Sequence, residues 1–220
     1  MFYSSIRTFK NALNRSSISF GPKTTMVFEK IKSSLLLKPG IKPSEYIKAA
    51  YERYKTKCKT NNALNGNVFE MIFQCLVFQL DLLPLYSQVK LTYVPNIEFD
   101  FMLFKKCDFF DSHGTLLYNG VEPICISLKT TQRERYKQAD LEAMALKNVH
   151  RNAKCYLIGL EDISVIQNKI SKKDTFGLDY VYNAASSEFD DFIDVLLKNV
   201  GDYICPPNVP VCLSKAYIQK

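Results

Sequence analysis

The segment Val121–Asp140, VEPICISLKTTQRERYKQAD, constrains this chain more than any other. A short apolar strand ends in Ser127-Leu128-Lys129 and opens at once into a charged helix. Side chains alternate along an extended strand, so Cys125, Ser127 and Lys129 point one way and Ile124, Ile126 and Leu128 the other. One face of the strand is apolar, and the other ends in a hydroxyl and an ammonium group.

The elements around this segment define an α/β chain. Pro43-Ser44-Glu45 starts a helix running to about Lys59, with lysine and arginine facing water. Asn61–Asn67 reads as a turn cluster. Val68, Phe69, Ile72, Phe73, Leu76, Val77 and Leu80 then recur at helical spacing, giving a helix from about Asn67 to Leu80 that is apolar on most sides. Ser87–Val94 and Ile97–Phe104 are strands joined at Pro95-Asn96 as a hairpin. A polar loop containing Asp111-Ser112-His113-Gly114 leads to the strand Val121–Lys129. Gln132–Asn148 is helical, Lys154–Leu160 is a strand, Asp162–Ile170 a short helix, Leu178–Asn183 a strand and Ser186–Val200 an amphipathic helix. The order helix, strand, strand, strand, helix, strand predicts a central mixed β-sheet flanked by helices.

Composition narrows the class. With 220 residues, 47% of them apolar, there is ample material for one large core. The net charge of +7 suits a nucleic-acid partner and equally an ordinary basic protein. Seven cysteines form no CxxC pair, and with only His113 and His150 no zinc spacing arises, so they read as free thiols filling the core in a reducing cytosol. Met71–Leu85 is interrupted by Gln74, Gln79, Asp81 and Pro84 and is too short to span a bilayer, so no membrane segment is expected. Residues 1–28 hold Arg7, Lys10, Arg15 and Lys23 without an acid. They read as a basic arm or extension before a single domain at 29–220, with a mitochondrial transit peptide as the alternative to a cytoplasmic protein of a bacterium or archaeon.

The chemistry-bearing residues fall at strand ends. Glu98, Asp100 and Met102 share one face of their strand, opposite Phe99, Phe101 and Leu103. Glu122 lies on the side of Leu128, away from Lys129. Phosphodiester hydrolysis needs hard oxygen ligands for a cation such as Mg2+ and a positive group near the attacking water or the developing charge. Asp100 supplies one carboxylate, the Leu128 main-chain carbonyl a neutral oxygen, and Lys129 the charge. Ser127 stands where a second acid is needed, and Glu70, a carboxylate in an apolar helix, is the candidate to replace it. Each also has an ordinary reading: Asp100 as an edge-strand solubilising residue, Lys129 as a solvated strand end, Glu70 as an exposed helix position.

The element order, with Glu70, Asp100 and the Ser127-Leu128-Lys129 variant of the motif, resembles the PD-(D/E)xK nuclease superfamily, and the chain's size resembles a type II restriction endonuclease. The resemblance covers a core of about residues 67–160. It implies an αβββαβ fold, metal binding by Asp100 and a second acid, and a lysine that assists the nucleophile. Phe99 stands where the family has proline, and Ser127 where it has an acid.

On that resemblance the chain is expected to be a Mg2+-dependent endonuclease cutting both strands of double-stranded DNA as a homodimer, with a palindromic target. Glu70, Asp100, Lys129 and Ser127 form the catalytic group. Thr130, Thr131, Gln132, Arg133, Arg135 and Lys137, at a helix start beside the catalytic strand end, are expected to contact DNA. A structure-specific or repair nuclease of similar fold, and a catalytically inactive DNA-binding module, are the alternatives.

Overall fold

Strand β3 (Leu116–Lys129) is the centre of the sheet, antiparallel to β2 (Phe99–Phe110) on one side and parallel to β4 (Lys154–Gly159) on the other. The structure is a computed structural model that describes residues 20–82, 85–91, 94, 96–110, 116–131, 135–203, 211–212 and 217–218. At 85, 107–110, 116–119, 211–212 and 217–218 the description is of backbone alone. Strand β1 (Leu85–Leu91) continues the sheet beyond β2 and β5 (Tyr180–Asn183) beyond β4, giving the order β5-β4-β3-β2-β1. Two short strands, β6 (Val211–Cys212) and β7 (Tyr217–Ile218), both pair with β1. The sheet is therefore mixed, as the alternation of strands and helices predicts.

Helices cover both faces. On one lie α1 (Pro22–Ile31), α2 (Pro43–Lys57), α3 (Asn62–Gln79) and, toward β4 and β5, α6 (Ser187–Lys198). They pack on Phe101, Leu103, Ile124, Ile126 and Leu128 of the sheet. Helix α3 is apolar all round because it is enclosed all round: every residue from Met71 to Gln79 is buried. Buried Gln79 is satisfied by the carbonyls of Leu35 and Cys75, and the Asp190 carboxylate ties α6 to α2 by accepting from the Ser44 N–H at 2.7 Å and hydroxyl at 2.8 Å.

The opposite face carries α4 (Arg135–Val149) and α5 (Ser164–Ser171), packed on Met102, Phe104, Cys125, Cys155, Leu157 and Val181. Helix α4 is fixed from behind by its own Asp140. That carboxylate accepts the N–H groups of Phe176, Gly177 and Leu178 at 3.2, 2.8 and 3.0 Å. Gly177 lies so close that an added Cβ would be 2.4 Å from both the Asp140 carbonyl oxygen and the Met144 nitrogen.

The structure moves several expected boundaries. The helix expected from Asn67 begins at Asn62, because the Asn61 side chain accepts from the Leu64 N–H at 2.9 Å and caps it; the NNALNGN cluster is the first turn of the helix. β1 starts at Leu85 and ends at Leu91, where the Val94 N–H closes a turn onto the Leu91 carbonyl. β2 and β3 extend through Phe110 and from Leu116, because backbone pairing continues where KKCD and LYNG break the apolar alternation. The boundary placed after residue 28 falls inside α1, which buries Thr24, Val27, Phe28 and Ile31. Residues 111–114, including His113, lie outside the described residues. Cys58, Cys75, Cys125 and Cys155 are free thiols, and no helix among the described residues is long and apolar enough to cross a membrane.

The contact behind α4 has a direct test. Gly177→Ala is expected to lower unfolding stability by about 1–3 kcal/mol, read from urea denaturation, because the clash is with backbone and not with a yielding side chain. An unchanged midpoint would mean that this loop does not abut α4.

Candidate active site

Asp100 is the second residue of β2, and its Oδ2 accepts two hydrogen bonds: from the Leu128 main-chain N–H at 2.8 Å and from Lys129 Nζ at 2.8 Å. The Lys129 and Asp100 side chains are only 11% and 19% exposed, so the ion pair is largely withdrawn from water. The Leu128 N–H is directed at β2, and within an extended residue the carbonyl faces the same strand edge. The Leu128 main-chain oxygen thus lies on the Asp100 side of β3. Burial works against the charge of Lys129, but Asp100, then Glu142 and Glu70, outweigh it and hold its pKa above the ordinary lysine value. Lys129 is a fixed positive charge at neutral pH.

Strand alternation decides which helix reaches this pair. Met102 and Cys125, in phase with Asp100 and Lys129, pack in the cluster formed with α4. Phe101, Leu103, Ile126 and Leu128, out of phase, pack against α3 and its neighbours. The helix on the same face as Asp100, Ser127 and Lys129 is therefore α4, and it brings a residue the sequence reading passed over. Glu142 sits within the inward stripe Ala139, Glu142, Ala143, Leu146, at i, i+3, i+4 and i+7. A carboxylate inside an apolar helical stripe is the same signal that singled out Glu70.

Glu142 is held by one oxygen and open at the other. Its Oε1 accepts from Gln138 Nε2 at 2.8 Å, one helical turn earlier, while Oε2 is buried with no hydrogen-bond partner. Burial raises its pKa, Lys129 and Gln138 lower it, Asp100 raises it, and the net direction is upward. An unsatisfied buried carboxylate oxygen beside a charged pair is costly unless something binds there.

Glu70 approaches from α3, on the other face. It is half-buried, and its pKa is pushed up to about 7, first by burial, then by Asp100 and more weakly by Glu98, with Lys129 acting in the opposite sense. Glu70, Asp100, Glu142 and Lys129 are thus one electrostatic group drawn from two helices and two strands. Among the described residues no three His, Cys, Asp or Glu side chains are already gathered as a metal cluster. The donor set still suits Mg2+, which keeps most of its waters and takes one or two carboxylates, and the unpartnered Glu142 oxygen is a ready hard ligand.

The remaining predicted residues divide by burial. Ser127 is 2% exposed and lies within the sheet, and Thr130 is also buried. Thr131 is half-buried at the turn into α4, while Arg135 and Lys137 are exposed on its first turn. Gln132 and Arg133 lie outside the described residues.

Against known proteins, no family model matches this chain and no curated protein matches it. Among solved structures it is similar to the restriction endonuclease PspGI in its substrate DNA complex, at 16% sequence identity and a TM-score of 0.47, over 92% of this chain and 83% of that one.

The raised pKa of Glu70 sets a pH dependence of stability. The folded value, about 7, exceeds the 4.5 expected of the unfolded chain, so the native state binds the proton more tightly. Glu70 therefore weakens the fold progressively as pH rises from 4.5 toward 7. In buffer containing EDTA, Glu70→Gln should remove this slope and be more stable than the natural chain at pH 8 by about 1–3 kcal/mol, with little difference at pH 4. Urea melts of the two proteins that ran parallel across this range would show that Glu70 is not desolvated beside Asp100.

Proposed function

We propose that this chain is a divalent-cation-dependent DNA endonuclease whose active centre is Asp100, Lys129 and Glu142, with Glu70 adjoining. One observation carries the reading: a half-buried Lys–Asp pair at the ends of neighbouring strands, faced by a carboxylate oxygen that is buried and unpartnered. Asp100, Glu142 and the Leu128 main-chain oxygen would hold the cation. When bound, it supplies Lewis-acid polarisation of a phosphoryl oxygen and a lowered pKa for a neighbouring water.

The chain's own residues supply the rest. Lys129, kept charged by three carboxylates, stabilises the negative charge that develops at phosphorus and orients the attacking water. Asp100 sets the position of that ammonium group and of the Leu128 backbone together. Gln138 holds one Glu142 oxygen, so the other stays aimed at the site. Glu70, near half-protonation at neutral pH, is placed to exchange a proton with water at the edge of the centre. Ser127 is buried in the sheet and adds no charge, so its part is packing beside Lys129. Exposed Arg135 and Lys137, at the start of α4, would contact the DNA backbone. The finer reading is a type II enzyme acting as a homodimer on a palindromic site, as the resemblance in the sequence implies.

A DNA-binding module without cleavage is the second reading. The direct Lys129–Asp100 hydrogen bond favours it, since a carboxylate oxygen already bonded twice is a poorer ligand. The two readings separate in one digestion of a long DNA of known sequence with and without Mg2+. The proposal expects discrete fragments with Mg2+. It also expects losses of roughly a hundredfold or more for Asp100→Ala, Lys129→Ala and Glu142→Gln, and a smaller loss for Glu70→Gln. Retarded but uncut DNA under all conditions would leave only the binding module. A smear without bands would remove sequence specificity, and preference for branched over duplex DNA would indicate a structure-specific nuclease.

A further inference from the structure

A cavity of about 400 Å3 lies beside the middle of β3, at Glu122 and Ile124, away from Lys129 at the strand's end and on the opposite face of the sheet. Its aromatic wall is Tyr156, Tyr180, Tyr182, Tyr203 and Phe192. Tyr182 stacks on Phe192 at 4.4 Å between ring centroids and 22° between planes, and Tyr156 meets Phe192 edge-on at 4.9 Å. Tyr180 lies 4.7 Å from Tyr182, so the rings form a continuous surface from β4 and β5 to α6. The hydroxyls of Tyr156, Tyr182 and Tyr203 make no hydrogen bond among the described residues. Burial pushes the pKa of both Tyr156 and Tyr182 up to about 12, so these groups stay neutral.

The charges at the cavity run against the overall +7 of the chain. Glu122, Glu188 and Asp191 line it, and neither Glu122 nor Asp191 forms an ion pair among the described residues. Glu188 has one long hydrogen bond, from Gln167 Nε2 at 3.4 Å. Of the two lining lysines, Lys105 is already bound to Asn199 Oδ1 at 2.8 Å and paired with Asp202 at 3.8 Å, and Lys154 is solvent-exposed and pairs with none of the three acids. The carboxylates outnumber the lysines, so the lining favours a cation over a phosphate. The volume is that of a small-ligand site.

We propose that this cavity is a second site, binding an organic cation with an alkylammonium head group against the tyrosine rings, with the Glu122, Glu188 and Asp191 carboxylates supplying charge complementarity. Aromatic rings attract a desolvating alkylammonium through their negative faces, and carboxylates at the mouth add long-range attraction. The site is independent of the nuclease reading and is tested without DNA.

The test is titration of the 15N-labelled chain with tetramethylammonium chloride, against sodium chloride at equal ionic strength, followed by amide chemical shifts. The expected result is saturable shifts at Tyr156, Tyr182 and Phe192 with the organic cation alone. Glu188→Gln combined with Asp191→Asn, both exposed positions, should weaken binding by about fivefold to tenfold, while Tyr182→Phe, which keeps the ring, should bind as the natural chain does. Shifts that do not saturate, that sodium reproduces, or that the double variant leaves unchanged would overturn the site.

Discussion

Two hydrogen bonds to a single oxygen, Asp100 Oδ2, organise the candidate centre. The bond from the Leu128 N–H fixes the end of β3 against the start of β2, and the bond from Lys129 Nζ fixes the ammonium group in the same place. Neither charge is well solvated, so removing one partner would strand the other at a cost on the order of 3 kcal/mol. Everything else at the site is arranged around a charge that cannot move far.

The sheet then decides what each helix can contribute. Helix α4 lies on the face toward which Asp100 and Lys129 point, and it presents Glu142 with one oxygen tied to Gln138 and one left open. Helix α3, on the far face, reaches the group only with Glu70, whose pKa near 7 records burial first and the Asp100 charge second. The same partition separates the acidic tyrosine cavity from the basic start of α4.

Much of this was legible in the residues, and what escaped has physical reasons. The strand ending in Ser127-Leu128-Lys129 and the apolar helix carrying Glu70 follow from periodicity and strand alternation, while the grouping of Asp100 with Lys129 follows from the resemblance to the nuclease motif. Alternation also puts Glu122 on the face away from Lys129, and there it lines the cavity beside the middle of β3. Alternation within a strand does not say which helix packs on the Lys129 face, so Glu142, although it completes the Ala139–Leu146 stripe, is not legible as a site residue. The length of the β2–β3 hairpin was hidden because backbone pairing continues past the apolar alternation. The start of α3 was hidden because asparagine favours both turns and helix caps, and only the Asn61–Leu64 hydrogen bond separates the two.

The most direct measurement is a crystal soaked with Mn2+ and read by anomalous scattering. The account predicts a peak roughly 2.0–2.3 Å from an Asp100 oxygen and from Glu142 Oε2, with Lys129 Nζ displaced from Asp100 or sharing it. A peak elsewhere, or none while Lys129 and Asp100 remain bonded and Glu142 stays unpartnered, would contradict the claim that these residues form a cation-dependent catalytic centre.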